Sequence, residues 1–186
     1  MGRPPRVFHP NGIYHLTSHG IDDRPIVRDD IDRQQFCIRF RRVALSEAWE
    51  VYAACLMDTH HHLLIGPTLG RVSDGMKLLN GGHSRAFNER HGRRGALFES
   101  RFRDWTIRDE RHFQAAVRYI EDNPVAAGIV ESAADWPWSS AAENSPFRVS
   151  DIALPFKVSD TGVTAGATAR VGTVSDTSSN RPAPGV

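Results

Sequence analysis

Residues 50–65 read EVYAACLMDTHHHLLI, and this stretch decides the predicted fold. Glu50 to Leu56 and His60 to Ile65 are two mostly apolar runs of strand length. Met57-Asp-Thr between them is short enough for the turn of a hairpin. The stretch therefore predicts two antiparallel strands, with a histidine cluster at the start of the second.

The segments on both sides complete the order strand, helix, hairpin, helix, strand, helix. The other predicted elements are a strand over 13–18, a short return strand begun at 25–27, a helix opened by Asp29 and Asp30, a helix capped by Ser73 that runs to about 88 with breaks at Gly75 and Gly81-Gly82, a strand over 103–107 and a helix over 109–122. This order is typical of an α+β fold of ferredoxin-like type, an antiparallel sheet with helices packed on one face.

The length of 186 residues suits one domain followed by a tail. Residues 157–186 are rich in Ser, Thr, Gly, Ala and Pro and contain no aromatic residue. Such a segment buries too little apolar surface to offset the entropy of ordering it. We expect a folded domain over 6–147 and a disordered tail over 148–186.

From the sequence pattern we expect neither a membrane-spanning helix nor a secretory signal. The apolar runs are too short for a membrane-spanning helix, and the N-terminus MGRPPRVFHPNG lacks the apolar region of a secretory signal. The two cysteines, Cys37 and Cys55, suggest no disulfide framework. We expect a cytoplasmic, nucleoid-associated protein with no membrane partner.

The positive charge is almost entirely guanidinium, since only Lys77 and Lys157 among 23 basic residues are lysine. Between Arg85 and Arg118 there are nine arginines against five acids. Guanidinium groups bind phosphate in a bidentate fashion, so the excess suits nucleic acid, but a solvated surface has the same composition. The candidate phosphate contacts are Arg85, Arg93, Arg94, Arg101, Arg103 and Arg118.

The histidine cluster places two imidazoles on one side of a strand. Side chains alternate along a strand, so His60 and His62 share a face and His61 points to the other. Two imidazoles in this position are well placed to bind one divalent ion, although a polar strand face is an equally good explanation.

The last helix carries a second group of polar residues. Phe113, Ala116, Val117 and Ile120 form its apolar stripe, and Tyr119 and Asn123, four residues apart, share the edge beside it. Pro124 should keep Asn123 out of helical geometry, at the helix exit. Tyrosine is a poor nucleophile unless its phenolate is stabilised or the electrophile is polarised. An ion held by two imidazoles and an amide oxygen could polarise a phosphodiester for attack by tyrosine.

Five motifs occur in this order along the folded part of the chain. They are Tyr14-His15-Leu16-Thr17 with Gly20, Leu56-Met57 with His60-x-His62-Leu63-Leu64, Phe87-Asn88 with GALFESRF at 95–102, RYIEDNPVAAG at 118–128, and WPWSS at 136–140. Together they resemble the REP-associated tyrosine transposases, relatives of the single-tyrosine HUH transposases of small insertion sequences.

The resemblance implies a metal-dependent endonuclease and strand transferase that acts on single-stranded or hairpin DNA. It implies Tyr119 as the nucleophile, His60, His62 and Asn123 as metal ligands, and Mg²⁺ or Mn²⁺ as the metal. The cleaved strand would carry a 5′-phosphotyrosine opposite a free 3′-hydroxyl. Relatives are monomers or homodimers, and the sequence does not decide between these states.

The sequence departs from the family pattern at two places in the hairpin. His61 stands where a bulky apolar residue is usual, and Asp58-Thr59 replaces the usual Pro-Asn. Outside the hairpin, His15 could abut the metal site from the neighbouring strand, but we expect it to order the edge of the sheet. Trp136 and Trp138 could stack bases, but we expect them to form a packing lid.

Two alternatives to a transposase remain open at this point. A non-catalytic DNA-binding protein could keep the same fold and arginines, in which case Tyr119 would have no role. A metal-dependent phosphoesterase could use the same imidazoles without forming a covalent adduct with DNA.

Overall fold

The computed structural model describes residues 6–147 and two further strands, Phe156–Lys157 and Thr164–Ala165. The chain divides into two compact units, Met1–Leu154 and Pro155–Val186. In the second unit the two short strands, β5 and β6, pair antiparallel. The rest of the predicted disordered tail, 148–186, lies outside the described residues.

The described part of the first unit, residues 6–147, forms four strands and four α-helices. In chain order they are β1 (Ile13–His19), α1 (Asp30–Ser46), β2 (Trp49–Leu56), β3 (His60–Pro67), α2 (Val72–Arg90), β4 (Arg103–Ile107), α3 (Glu110–Glu121) and α4 (Asn123–Ala126). The strands form one sheet in the order β2-β3-β1-β4, and every adjacent pair is antiparallel. This order is the ferredoxin-like arrangement, so the predicted α+β fold class is confirmed.

The helices cover both faces of the sheet rather than one. On the first face, Phe36 of α1 and Asn80 of α2 both contact His61 of β3. On the second face, Tyr119 of α3 lies against His62, the next residue of β3. The expectation of a single helical layer therefore holds for α1 and α2 but was wrong for α3. Both faces of the central strands need cover because both carry buried side chains.

The largest apolar core lies on the first face, between the sheet and the pair α1 and α2. Its fully buried members include Leu16, Leu63, Phe36, Phe40 and Leu79. Burying side chains of this size contributes about 1.5–3 kcal/mol each. This core fixes β1 and β3 side by side, and the candidate site occupies the opposite face of the same two strands.

Helix α2 is continuous, so the predicted breaks at its glycines were wrong. Gly75 is buried, and a Cβ there would lie 2.2 Å from an indole carbon of Trp49. Glycine at this position therefore permits a close approach between helix and sheet rather than a turn. Ser73 is not the N-cap, since the helix begins at Val72 after Arg71.

One segment predicted from local composition has a different role in the structure. Residues 25–27 form no strand; instead the backbone amides of Ile26 and Val27 both donate to the Asp58 carbonyl, at 2.7 and 3.3 Å. Trp136 packs against β2 and its indole N–H donates to the Leu56 carbonyl at 3.0 Å, as expected for a lid.

Within residues 6–147, none of the helices has the length and apolar character that a bilayer crossing requires.

Candidate active site

Four imidazoles share the second face of the sheet. In the register of β1 and β3, His19 lies opposite His60 and Thr17 opposite His62. Alternation along β1 then brings His15 to the same face, and its Nε2 lies 2.9 Å from Nδ1 of His62. The His19 ring stacks on that of His60, with centroids 4.7 Å apart. The pairing of two central strands thus gathers histidines that are up to 47 residues apart in sequence.

The side-chain amide of Asn123 bridges His60 and His62. Its Oδ1 lies 3.2 Å from Nε2 of His60, and its Nδ2 lies 3.4 Å from Nε2 of His62. Asn123 begins the short helix α4, with Pro124 in its first turn. The expectation that Pro124 would end helical structure at Asn123 was therefore wrong, because proline is tolerated where its missing N–H costs no hydrogen bond.

The partners of each ring define its tautomer. An amide oxygen only accepts, so His60 Nε2 donates to Asn123 Oδ1, and its Nδ1 accepts from the Thr59 hydroxyl at 3.0 Å. The Asn123 amide nitrogen donates to His62 Nε2, so His62 carries its proton on Nδ1 and donates it to His15. His62 therefore directs a lone pair at the bridging amide. The Thr59 hydroxyl can also accept a hydrogen bond from Nδ1, so it is compatible with either tautomer of His60.

Burial favours the neutral form of three of these imidazoles, His15, His60 and His62. Burial, with smaller contributions from the neighbouring imidazoles, lowers the pKa of His62 to about 2. Burial, with a smaller contribution from His112, lowers the pKa of His15 to about 4. The pKa of His60 is lowered mainly by burial and then by His19. Neutral imidazoles keep the lone pairs that metal ligation needs.

Tyr119 stands at the solvent side of this group. Its ring is 58% exposed, and its centroid lies 5.5 Å from that of His62 and 5.9 Å from that of His15. Tyr119 and Asn123 approach the histidines from the same edge of the α3 to α4 segment. The structure therefore brings together all four residues selected from the sequence for catalysis and metal binding.

His61 belongs to the other side of the sheet. It is fully buried, its Nε2 lies 3.0 Å from Asn80 Oδ1, and its Nδ1 has no hydrogen-bond partner among residues 6–147. Burial lowers the pKa of His61 to about 3, so the ring is neutral. An aromatic pair, Phe36 and Phe98, surrounds it. His61 thus fills the position of an apolar core residue and does not face the candidate site.

The donor set for a metal ion is small. Across residues 6–147, no three side chains of His, Cys, Asp or Glu are grouped to hold one. What the site offers is two imidazoles, His60 and His62, and the amide oxygen of Asn123. This set fits a divalent ion that completes its coordination with substrate phosphate oxygens and water, as Mg²⁺ commonly does.

The six candidate arginines are divided between the two sides of the sheet. Arg103 of β4 is opposite Thr17, whose side chain is on the second face with His62, and Arg103 is exposed. Arg118 is exposed on α3, the helix that covers the second face. Arg85 lies on α2, which packs on the first face. Arg93 lies over the Phe87 ring at 5.6 Å, and Arg94 is exposed in the same loop. Only Arg103 and Arg118 are therefore on the side of the histidines.

The remaining arginine lies at a cavity behind the sheet. Arg101 lines a space of about 490 Å³ between α2 and the loop before β4. Asn80, Leu97 and Phe102 are also on its wall. Because Asn80 bonds His61 on the first face, this cavity is separate from the candidate active site.

Three further residues belong to the site although the sequence pattern did not favour them there: His15, Thr59 and Trp105. The sequence pattern favoured the sheet edge for His15. In the structure β1 lies between β3 and β4, so His15 is on an inner strand of the sheet. Trp105 pairs with His15, and their ring centroids are 5.3 Å apart. The alternation of His15 with Thr17 and His19 was the available signal, but its meaning depended on which strand paired with β1.

An α+β domain with a histidine pair, a bridging amide and an exposed tyrosine on one sheet face has the residue types that phosphodiester transfer uses. The sequence model of the family described as "Transposase IS200 like" matches residues 9–123, more than half of the chain. The protein therefore belongs to the IS200-like transposase family, whose activity is DNA transposition.

Two further comparisons agree with this family. The chain is 27% identical over 150 residues to a Haemophilus influenzae protein named as a REP-associated tyrosine transposase, covering 73% of this chain and 82% of the relative. A solved structure of a REP-associated tyrosine transposase bound to a REP hairpin matches with a TM-score of 0.60 at 21% identity. That match covers 75% of this chain and 82% of the other, and it supports the fold.

Proposed function

We propose that this protein is a single-strand DNA endonuclease and strand transferase in which Tyr119 is the nucleophile. The observation that carries the proposal is the position of the Tyr119 ring, exposed to solvent and 5.5 Å from the His62 ring. A tyrosine kept for packing would turn its ring into the core, as Tyr14 does at 4% exposure. Here the phenol is accessible to a substrate that also reaches the histidine pair.

The proposed reaction exchanges one phosphodiester for another. The Tyr119 hydroxyl loses its proton and its oxygen attacks the phosphorus. The bond from phosphorus to the 3′ oxygen breaks, and that oxygen takes up a proton as a free 3′-hydroxyl. The 5′ side stays bound to Tyr119 as a phosphotyrosine. Attack by the 3′-hydroxyl of another strand reverses these steps and releases the tyrosine, so no bond energy is lost to hydrolysis.

We further propose that His60, His62 and Asn123 hold Mg²⁺ or Mn²⁺. The neutral His62 Nε2 and the Asn123 amide support this assignment, since both face one point between α4 and β3. When bound, such an ion supplies Lewis-acid polarisation of a phosphoryl oxygen. Around it, Thr59 and His15 hold the outer nitrogens of the two rings and so fix their directions.

The proposed substrate is a DNA hairpin with a single-stranded flank. Support comes from the solved relative with a bound REP hairpin and from the exposed Arg103 and Arg118 beside the site. Arg85, Arg93, Arg94 and Arg101 are proposed to bind phosphates farther along the same DNA. The oligomeric state, monomer or homodimer, stays a prediction from the sequence.

Incubation of the full chain with a 5′-labelled and a 3′-labelled hairpin oligonucleotide and Mn²⁺, followed by a denaturing gel, tests the proposal. We expect a protein–DNA adduct that carries only the 3′-side label, lost in Tyr119→Phe and strongly reduced in His60→Ala. Tyr52→Phe is the matched control, because the Tyr52 hydroxyl bonds Glu50 away from the histidines.

The same gel separates the proposal from its two alternatives. Cleavage that forms no adduct, and that persists in Tyr119→Phe, would show a metal-dependent phosphoesterase. Binding without cleavage in every variant would show a non-catalytic DNA-binding protein. Either result contradicts a tyrosine transferase.

A further inference from the structure

Trp105 is the exposed aromatic residue of the strand at the open edge of the sheet. It lies on β4, which pairs only with β1 among the described strands. In that register Trp105 is opposite His15 and Arg103 opposite Thr17, so both side chains share the face of the candidate active site. The Trp105 side chain is 47% exposed. The His15 imidazole lies between it and Tyr119, because both aromatic rings contact that imidazole.

The other tryptophans of residues 6–147 are used for packing. Trp49 is 5% exposed and lies against Gly75. Trp136 donates its indole N–H to the Leu56 carbonyl, and Trp138 packs against the main core. Across the described residues, the ring contact of Trp105 is with His15 only. Packing of one imidazole does not account for an exposed indole on an edge strand, where large apolar side chains favour unwanted association.

The charge around Trp105 is positive on the side of the active site. The Arg103 side chain is 63% exposed, and its ion pair with Glu99 is long, at 3.7 Å. Arg118 is exposed on α3, next to Tyr119 in the sequence. The acid between Arg103 and Trp105, Asp104, points to the opposite face and pairs with Arg6 at 3.0 Å. An aromatic face next to an exposed guanidinium group matches a nucleotide, with a flat base and a charged phosphate.

We propose that Trp105 and Arg103 form a binding site for one unpaired nucleotide of the DNA strand that reaches Tyr119. The base stacks on the Trp105 indole, and Arg103 binds the adjoining phosphate. This inference rests on the proposed function, because it assumes single-stranded DNA at the active site. The site is sequence-tolerant, since every base offers a face for stacking. A protein partner is the less suitable occupant, because one indole and one arginine are far smaller than a stable protein interface.

Binding of single-stranded DNA by the full chain with Tyr119→Phe, in EDTA, isolates this site from the cleavage reaction. The probe is a fluorescein-labelled hairpin oligonucleotide with a single-stranded flank, and the readout is fluorescence anisotropy. We expect Trp105→Leu to weaken binding about tenfold or more, since stacking on one aromatic ring is worth that much. Trp105→Phe should stay within about threefold, because phenylalanine also stacks.

A scan of abasic positions in the flank makes the test specific for stacking. One abasic position should weaken binding by the Trp105 parent and leave the affinity of Trp105→Leu unchanged. Leu45→Ala is the control variant, because Leu45 is exposed on α1 over the other face of the sheet. Melting temperatures of all variants report whether a loss of affinity reflects a loss of folding.

Two results overturn the inference. Equal DNA affinity of the parent and Trp105→Leu would exclude stacking, and so would a loss in Trp105→Leu that no abasic position reproduces. If wild-type protein forms the Tyr119 adduct while Trp105→Leu binds like the parent, the nucleotide site fails and the proposed function stands. If the abasic coupling is found but no adduct forms, the nucleotide site stands and the proposed chemistry fails. A parent that binds no single-stranded DNA refutes both.

Discussion

The contact between His15 and His62 gives the sharpest prediction about the site, and the perturbation is His15→Leu. In the structure His62 Nδ1 donates to His15 Nε2 at 2.9 Å, and His62 is only 4% exposed. Leucine offers no acceptor, so the Nδ1 proton would be left without a partner in a buried position. An unsatisfied buried donor costs about 1–3 kcal/mol, which His62 can relieve by rotating or by moving its proton to Nε2. Either change removes the lone pair that a metal ion needs.

That energy sets the expected loss of metal affinity. A cost of about 1–3 kcal/mol corresponds to a Mn²⁺ dissociation constant raised about 5- to 150-fold, in line with outer-partner mutations at other metal sites. His15→Gln should recover most of the loss, because its amide oxygen can accept the same proton. Isothermal titration of Mn²⁺ into the full chain measures the constant without relying on DNA cleavage.

Two outcomes would refute this reasoning. Unchanged Mn²⁺ affinity in His15→Leu would show that the contact does not set the tautomer of His62. Equal losses in the Leu and Gln variants, at equal stability to urea, would show that shape rather than hydrogen bonding is what His15 provides. A wild-type chain that binds no Mn²⁺ refutes the metal assignment itself.

Two further predictions concern stability and are measured by urea unfolding. Gly75→Ala should destabilise the protein by about 1–2 kcal/mol, because overpacking against Trp49 outweighs the gain in helix propensity. Gly81→Ala should stabilise it by about 0.5–1 kcal/mol, because no atom of the described residues lies within 4 Å of a new Cβ there. Destabilisation by both alanines would contradict the contact with Trp49. Burial lowers the pKa of His83 from 6.5, so below about pH 6.5 the unfolded chain binds a proton at this residue that the folded chain does not. The free energy of unfolding should therefore fall as pH drops below about 6.5, by up to about 1.4 kcal/mol per pH unit for this residue. His83→Gln can still donate to the Ile26 carbonyl, so it should reduce this slope; an unchanged slope between pH 6.5 and 5 would show that His83 titrates normally when folded.

Local sequence pattern was a good guide to the elements of this fold. The strand predicted over 103–107 has the observed bounds, and Asp29 and Asp109 accept backbone hydrogen bonds as the N-caps of α1 and α3. These features depend on side chains that act on neighbours within four residues, so they are readable from the sequence. The prediction of breaks in α2 was wrong because Gly75 packs against Trp49, which lies 26 positions earlier on another element.

The candidate site shows the same division between local and distant causes. Strand alternation by itself placed His60 and His62 on one face, and helical spacing placed Tyr119 beside Asn123, because both periods are fixed by backbone geometry. Whether the two pairs would meet, and whether His15 and Trp105 would join them, depended on strand order and on the face that α3 covers. Those choices come from packing of the whole chain, in which β1 is central because its other face closes the core on α1 and α2. The sequence by itself therefore determined the elements and the family, while the tertiary structure alone decided which imidazoles, aromatic rings and arginines share one surface.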